Sequence, residues 1–395
     1  MRKPIIKSIG DILNLKRGYD LTKNEMIQGN IPVVGSNGII GFHNEYNVKA
    51  PCVTVGRSGT VGIPQFYNKN CWAHNTCLYI DDFKNNNPEY LFYLLKTLHL
   101  DKVANSTGVP TLNRNFVHPL KIKYFEDINV QKSVSLILTQ LDKKIELNNK
   151  ITSELENLAK TLYEYWFVQF DFPDANERPY KSSGGKMVYN EILKREMPEN
   201  WQVIELKNIC EVKSGYPFSS KDYASNGKYK LITIKNVQDN YISSDTDNAI
   251  ENIPTNMPKY CLLNDGDILL SLTGNVGRIG LVFEDNLLLN QRVGLLKLLD
   301  KNYHSFIYLT FLSDNFKNIL EKISTGSNQK NLSPVETEKL SILYSEKVLK
   351  NFEQQTKPII DKIINNYKEN KKLDALRNFL LPMLMNGQVT IQRQH

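Results

Sequence analysis

Residues 101–113 read DKVANSTGVPTLN and residues 319–331 read ILEKISTGSNQKN, which sets Ser106-Thr107-Gly108 on Ser324-Thr325-Gly326 and Asn113 on Asn331, 218 positions apart. Further upstream, LNLKRGYDLTKNEM, ending at Met26, corresponds to CEVKSGYPFSSKDY, ending at Tyr223, with Gly18-Tyr19 on Gly215-Tyr216. RSGTVGI at 57–63 corresponds in the same way to LTGNVGR at 272–278. A chain that repeats itself at this distance is expected to fold as a tandem duplication carrying two equivalent binding modules.

A helical repeat follows each module. From Val134 the residues Leu138, Leu141, Ile145, Asn148, Thr152, Leu155, Ala159, Leu162 and Trp166 step by four and three, the seam of a long helix. The same offset gives Phe352, Thr356, Ile359, Ile363, Asn366, Asn370, Leu373, Arg377, Leu380 and Leu384, a weaker version of the stripe. Such a seam must be covered, and the partner of equal length is the other copy. Antiparallel pairing brings Asn148 toward Asn370 and Thr152 toward Asn366, a polar layer able to fix register and direction at a cost in stability. The alternative is that these asparagines are solvated. Pro358 is expected to start or kink the second helix.

The chain has 395 residues, enough for two or three cores, and a net charge of +7 from 49 Lys+Arg against 42 Asp+Glu. That excess suits a polyanionic partner without demanding one. No apolar run reaches membrane-spanning length and MRKPIIKSIGDIL lacks a signal-peptide core, so an intracellular, cytoplasmic protein is expected. The five cysteines are odd in number and occupy unmatched positions in the two repeats, which argues against a disulfide framework.

Residues 5–80 alternate β-branched residues with Gly, Asn and Pro punctuation and predict short strands. NPEYLFYLLKTL then predicts a helix with Asn87 as N-cap and Pro88 in its first turn; the second copy has SFIYLTFLSDNFKNIL there. PLKIKYF and KLSILYS close the two modules as strands, and the seam helices follow at once. Residues 168–200, rich in Pro, Gly, Ser and charge, read as a linker long enough to let the second module travel. The fold class is α+β: two strand-rich domains separated by an antiparallel pair of long helices, with an internal pseudo-two-fold.

The order module, helix, linker, module, helix closely resembles the specificity subunit of type I restriction-modification systems. LYEYWFVQFDFP at 162–173, PYKSSGGKMVYNEILKREMPENW at 179–201 and LRNFLLPMLMNGQVTI at 376–391 look like that family's joints. The resemblance implies target recognition domains at 1–126 and 198–345, spacer helices at 127–170 and 346–395, and a linker at 171–197. It implies that each recognition domain reads one half of a bipartite DNA site and that the helices space them and dock two methyltransferase subunits, with two restriction/translocase subunits beyond. S-adenosylmethionine, ATP and magnesium then belong to the partners, and no cofactor or metal to this chain. The recognition modules diverge within the family, so base contacts do not carry over.

Three pairs of loops offer DNA contacts. The Gly-rich turns carry Arg57, Ser58 and Thr60 in the first copy and Thr273, Asn275 and Arg278 in the second, with Gly59, Gly62, Gly274 and Gly277 allowing close backbone approach to phosphate. TGVPTLNRN and TGSNQKNLS carry Thr107, Asn113 and Arg114 against Gln329, Lys330 and Asn331, with Arg114 set on Leu332; Asn, Gln and Arg have the forked geometry that base edges require. AHNTC and LNQRV carry His74 and Asn75 against Asn290, Gln291 and Arg292. For each pair the alternative is ordinary turn and cap chemistry.

Enzymatic motifs are weak. Cys71, His74 and Cys77 invite a zinc reading, but in an extended segment the cysteines and the histidine point opposite ways. NPEY at 87–90 lacks the second proline and the glycine-rich loop of an amino-methyltransferase, and EVK at 211–213 has NLK as its counterpart. No Walker-type loop is present. A non-catalytic DNA reader is thus weighed against a structural coiled-coil adaptor with protein-binding heads, and an enzyme comes third.

Overall fold

The computed structural model describes residues 3–103, 110–326 and 329–389. It divides into two units, residues 1–146 with 372–395 and residues 147–371, so the division falls inside both long helices.

In the first unit the chain runs β1 (Ile5–Ser8), α1 (Ile9–Ile12), β2 (Asn14–Arg17), β3 (Ile31–Gly35), β4 (Gly38–His43), β5 (Cys52–Gly56), β6 (Pro64–Tyr67), β7 (Trp72–Ala73), β8 (Cys77–Asp82), α2 (Pro88–Lys96), α3 (Arg114–Val117) and β9 (Lys121–Tyr124), then enters α4 (Ile128–Tyr163). One sheet has the order β2-β8-β5-β6, a second β4-β3-β7, and β1 pairs with β9. Helix α2 starts where its sequence says it should: Asn87 accepts the Tyr90 N–H at 2.8 Å and Pro88 fills the first turn, where a missing N–H is harmless. Its buried face, with Tyr90, Leu91 and Leu94, joins Val53, Val55 and Ile80 of the sheet and Val134 and Leu138 of α4 in one core.

The second unit repeats this plan. It contains β10 (Met187–Asn190), β11 (Arg195–Pro198), β12 (Gln202–Glu205), β13 (Cys210–Ser214), β14 (Tyr229–Ile232), β15 (Asn240–Tyr241), β16 (Ala249–Ile250), β17 (Ile268–Ser271), β18 (Ile279–Leu281), β19 (Leu287–Leu289), β20 (Val293–Leu298), α5 (His304–Leu312), α6 (Asp314–Ile323), α7 (Pro334–Glu338), β21 (Ser341–Tyr344) and most of α8 (Glu346–Met385). The orders β13-β20-β17-β18 and β16-β14-β19 and the pair β12-β21 reproduce those of the first unit, with β15 added at the edge beside β18. The single helix expected over SFIYLTFLSDNFKNIL is broken at Ser313, which leaves α5 and then caps α6 through the Phe316 N–H.

The two long helices are antiparallel. Within the second unit Asn148 donates to Asn370 at 2.9 Å and to Glu369 at 2.7 Å, Asn366 donates to Thr152 at 3.1 Å, and Asn370 donates to Asn149 at 2.8 Å. Residue numbers fall on α8 as they rise on α4, and the bonded pairs 148/370 and 152/366 exchange under the repeat offset, as an internal pseudo-two-fold requires. All four of these residues are buried, which removes the solvated alternative. Asn366 Oδ1 alone in the layer has no hydrogen-bond partner, the stability cost of a polar seam made visible. Leu138 and Ile363 are buried, while Leu141, Ile145, Leu155, Leu162, Ile359, Leu373 and Leu380 are partly so. Within the first unit the out-of-pattern Arg377 is reconciled by Asp142, whose carboxylate accepts from Arg377 at 2.7 Å and from the Tyr93 hydroxyl at 2.6 Å.

Two expectations need correction. Pro358 does not start the second helix, which begins at Glu346 and continues through it. The segment 171–197 is not a loose tether. Phe170, Phe172 and Met197 are buried in the second unit's core with Trp201, and β10 and β11 form a hairpin. Aromatic residues spaced among the Pro, Gly and charge turn this segment into a strap, with Phe172 stacked on Tyr180 at 4.8 Å and the Arg195 guanidinium over Phe170 at 4.6 Å.

Candidate nucleic-acid interface

The loops singled out in the sequence come together at one end of the larger sheet in each unit. In the first unit the β5–β6 turn holds Arg57 and Ser58, whose N–H groups both donate to the Thr76 carbonyl, at 2.8 and 3.2 Å. Arg57 Nη1 also reaches the Asn75 carbonyl at 3.3 Å. Ser58 bridges to Thr111, and Leu112 N–H bonds the Arg57 carbonyl at 2.8 Å, which brings Asn113 and Arg114 beside the same turn. His74 bridges to Tyr19. The result is a cleft of about 440 Å³ lined by Lys16, Arg17, Tyr19, Arg57, Thr111, Asn113 and Arg114 among others.

The second unit builds the same corner from different residues. Leu272 N–H bonds the Arg292 carbonyl at 3.1 Å, Leu332 N–H bonds the Leu272 carbonyl at 2.8 Å, Thr273 bridges to Asn331, and Tyr216 bridges to Asn290. Gly274 N–H bonds the Lys330 carbonyl at 3.0 Å, and the cleft there, also about 440 Å³, is lined by Asp239, Asn275, Arg278, Lys317, Glu321 and Lys330. Asn275, Gln291, Arg292, Gln329, Lys330 and Asn331 are exposed, as are Thr60, Asn113 and Arg114 in the first unit, whereas Thr273 is buried and shapes the turn. Thr107 lies outside the described residues.

The glycines explain why the corner recurs. Gly59, Gly62, Gly274 and Gly277 all have positive φ, between 77° and 83°. At Gly18 a Cβ would come within 2.1 Å of the His74 carbonyl oxygen, and at Gly215 within 2.3 Å of that of Asn290, so both copies need glycine where the tyrosine loop crosses the strand.

One alignment is corrected. Leu112 and Leu332 make equivalent bonds, and the next residues, Asn113 and Ser333, cap α3 and α7 through the N–H groups of Asn115 and Glu336. Asn113 therefore corresponds to Ser333, not Asn331, and Arg114 to Pro334, not Leu332. The second copy has two more residues between its Ser-Thr-Gly string and this leucine, and the string match cannot see that insertion.

His118 supports the first corner from behind. Its Nε2 accepts the Leu15 N–H at 3.0 Å, next to Lys16 and Arg17, and burial, with the Arg114 and Lys84 charges, pushes its pKa below the usual histidine value. A ring held neutral when folded contributes stability that is complete above the ordinary pKa of about 6.5 and is lost as pH falls from there through the lowered folded value. The first unit is expected to melt at progressively lower temperature from pH 7 to pH 5, and His118→Gln, which keeps an acceptor without a titration, should flatten that slope. Identical pH profiles for the two proteins would show that the ring is protonated without consequence.

Among the described residues no group of three His, Cys, Asp or Glu is placed to hold an ion. Cys71 and Cys77 are buried with Cys52, burial pushes the Cys77 thiol up to about 12, and His74 Nδ1 instead faces the Thr76 hydroxyl at 2.9 Å. All five cysteines are free and buried. No helix among the described residues is long and apolar enough to cross a membrane.

Comparison with known proteins places this architecture. The family described as type I restriction modification DNA specificity domain matches residues 5–157 and 198–372. The type I restriction enzyme MjaIX specificity subunit of Methanocaldococcus jannaschii is 27% identical over 315 residues, covering 77% of this chain and 69% of that protein. The HindI specificity subunit of Haemophilus influenzae is 23% identical over 357 residues, covering 76% and 77%. Among solved structures, the S subunit of a type I restriction-modification system from M. genitalium shares the fold, with a TM-score of 0.65 at 16% identity over 97% of this chain and 99% of that one.

Proposed function

The chain belongs to the type I restriction modification DNA specificity family, which makes it a recognition component and not a catalytic one, and on that premise we propose that its two modules each read one half of a bipartite duplex. Residues 1–126 and 198–345 are the recognition domains, 127–170 and 346–395 the spacer helices, and 171–197 the strap joining them. The observation that carries the reading is the convergence, in both units, of three sequence-distant polar loops on one corner. Structural demands alone would fix the glycines there. They would not require exposed Asn, Gln and Arg side chains, which suit base edges and phosphates. The contact set is Arg57, Ser58, Thr60, His74, Asn75, Thr107, Asn113 and Arg114 for one half-site and Asn275, Arg278, Asn290, Gln291, Arg292, Gln329, Lys330 and Asn331 for the other, with Thr273 shaping its turn.

A duplex offers dyads perpendicular to its axis, so two like modules grip two half-sites equivalently only if a two-fold relates them. An antiparallel pair of spacer helices is the arrangement that suits such a relation. Exposed apolar side chains on the helices, Leu136, Leu376 and Phe379 in the first unit and Leu147 and Leu158 in the second, support docking of two methyltransferase subunits. Two restriction/translocase subunits complete the complex, and S-adenosylmethionine, ATP and magnesium are held by those partners. The test is methylation mapping in cells after exchange of residues 1–126 for those of another family member. One half-site is expected to change and the other to persist; a change in both ends the modular reading. An adaptor with protein-binding heads would instead leave methylation untouched.

A further inference from the structure

A fourth loop reaches each corner, at positions that the repeated strings do not align. In the first unit β3 runs parallel to β7, and the His74 N–H bonds the Val34 carbonyl at 2.9 Å. In the second unit β14 runs parallel to β19, and the Asn290 N–H bonds the Ile232 carbonyl at 3.1 Å. His74 and Asn290 correspond through their bridges to Tyr19 and Tyr216, so Val34 corresponds to Ile232 and, further along, Ser36 to Ile234. Both of these residues meet the equivalent glycine. A Cβ at Gly59 would lie 3.5 Å from Ser36 Oγ, and one at Gly274 would lie 3.7 Å from Ile234 Cδ1. The residues that come next, Asn37 and Lys235, are exposed, and neither side chain has a hydrogen-bond or ion-pair partner among the described residues.

The backbones beneath these two side chains are fixed by unrelated means. In the first unit Gly35 pairs with Gly38 across a tight hairpin, Gly38 has a φ of 109°, and Gln65 Nε2 donates to the Ser36 carbonyl at 3.3 Å. In the second unit the chain leaves β14 on a longer course through β15 to β16, and the buried Asn236 holds its start. Asn236 Oδ1 accepts from the Thr233 N–H at 3.0 Å and the Thr233 hydroxyl at 2.8 Å, and its Nδ2 donates to the Ser243 carbonyl at 3.0 Å. Asp239 of the same loop lines the second cleft. A turn asparagine ordinarily commits its side chain to nearby backbone, as Asn236 does and Asn37 does not. A fixed backbone under an uncommitted polar side chain is the preorganised state that a reading residue needs. Resting on the reading of both corners as DNA-facing, we infer that Asn37 and Lys235 are specificity-determining residues that contact base edges, one in each half-site. Asn37 carries the donor and acceptor pair that matches adenine N7 and N6, and Lys235 carries donors for guanine O6 and N7. Equivalent placement with different chemistry lets one fold read two unlike half-sites.

The experiment measures competition binding of the full chain to duplexes that differ from its methylation-mapped site by one base pair at a time. Wild type is compared with Asn37→Ala and Lys235→Ala, both checked for unchanged melting, and with Arg114→Ala and Gln329→Ala from the loops already placed in the contact set. Asn37→Ala is expected to lower discrimination by about tenfold or more at one base pair of the first unit's half-site and to leave the other half-site as it was. Lys235→Ala is expected to do the same in the second unit's half-site. Unchanged preference at every position overturns the assignment of the residue concerned. So does uniform weakening across all duplexes with a flatter salt dependence, the mark of a phosphate contact. If Arg114→Ala and Gln329→Ala relax a base pair while Asn37→Ala and Lys235→Ala do not, the fourth loop falls and the DNA reading stands. A wild type without base preference would instead sink the underlying reading, so the two failures are distinct.

Discussion

Removing one heptad from each long helix, residues 149–155 from α4 and 363–369 from α8, is expected to shorten the preferred spacer of the bipartite target by about two to three base pairs and leave both half-site sequences as they were. Seven helical residues rise about 10 Å, close to three base pairs at about 3.4 Å each. A heptad keeps the seam in phase to within about 20°, so the surviving stripes still meet. The two deleted segments face each other: they contain Thr152 and Asn366, which bond across the pair, and they leave Asn148 opposite Asn370. Each base pair also turns the groove by about a tenth of a turn, and DNA twist must absorb what the helices do not. Deleting the segment from α4 alone leaves seven residues of α8 without a partner and should give insoluble protein. Methylation mapping reads the result, and a spacer unchanged by the double deletion would mean that the helices are not the ruler.

The seam was legible because the restraint that shapes it is one-dimensional. A stripe at steps of four and three, repeated at a fixed offset, leaves antiparallel or parallel pairing as the choice, and the asparagine positions agree with the first. Even Arg377, an apparent defect in the stripe, turned out to have its answer in Asp142. The strand modules were legible as a class, because glycine and turn chemistry is local: Gly62 and Gly277 sit in left-handed turns in both copies, as RSGTVGI and LTGNVGR suggest. What sequence could not supply was loop length in the third dimension. The match of Asn113 with Asn331 slipped by two because nothing in the strings marks where an insertion sits, and only the bonds of Leu112 and Leu332 locate it.

The strap over residues 171–197 went unseen for a related reason. Pro, Gly, Ser and charge describe a chain that cannot be helix or a regular central strand, which is true of this segment, but they do not describe where its aromatic residues go. Phe170, Phe172 and Tyr180 were the available signal, spaced too irregularly for any periodic template and yet too apolar for a solvated tether. The site residues stand between these cases. Their convergence follows from sheet topology, which brings the β5–β6 turn, the tyrosine loop and the residues before α3 to one edge, and that topology is not written in any one of the strings.

Replacing Phe352 by alanine is expected to be the most damaging single change in the second unit. The ring is fully buried, and it lies 5.3 Å from Trp166 and 4.9 Å from Phe167, which is itself 4.7 Å from Phe306 of α5. Truncating a buried Phe to Ala costs about 3–5 kcal/mol, a large share of the about 5–15 kcal/mol that holds a domain together. Because this ring joins the helical turn that follows α4, Glu164–Val168, with the start of α8 and, through Phe167, with the module's own helix, the loss is not confined to one layer. Phe352→Leu, which leaves a smaller cavity but also gives up the ring contacts, should cost less than Phe352→Ala. Urea unfolding followed by tryptophan fluorescence measures both, since Trp166 and Trp201 lie in the same core; a Phe352→Ala cost under about 1 kcal/mol would show that helix and module are not packed as one body. If they are, the weakened protein at permissive temperature should methylate sites with spacers one or two base pairs off the preferred length, because a module loosened on its helix no longer measures distance sharply.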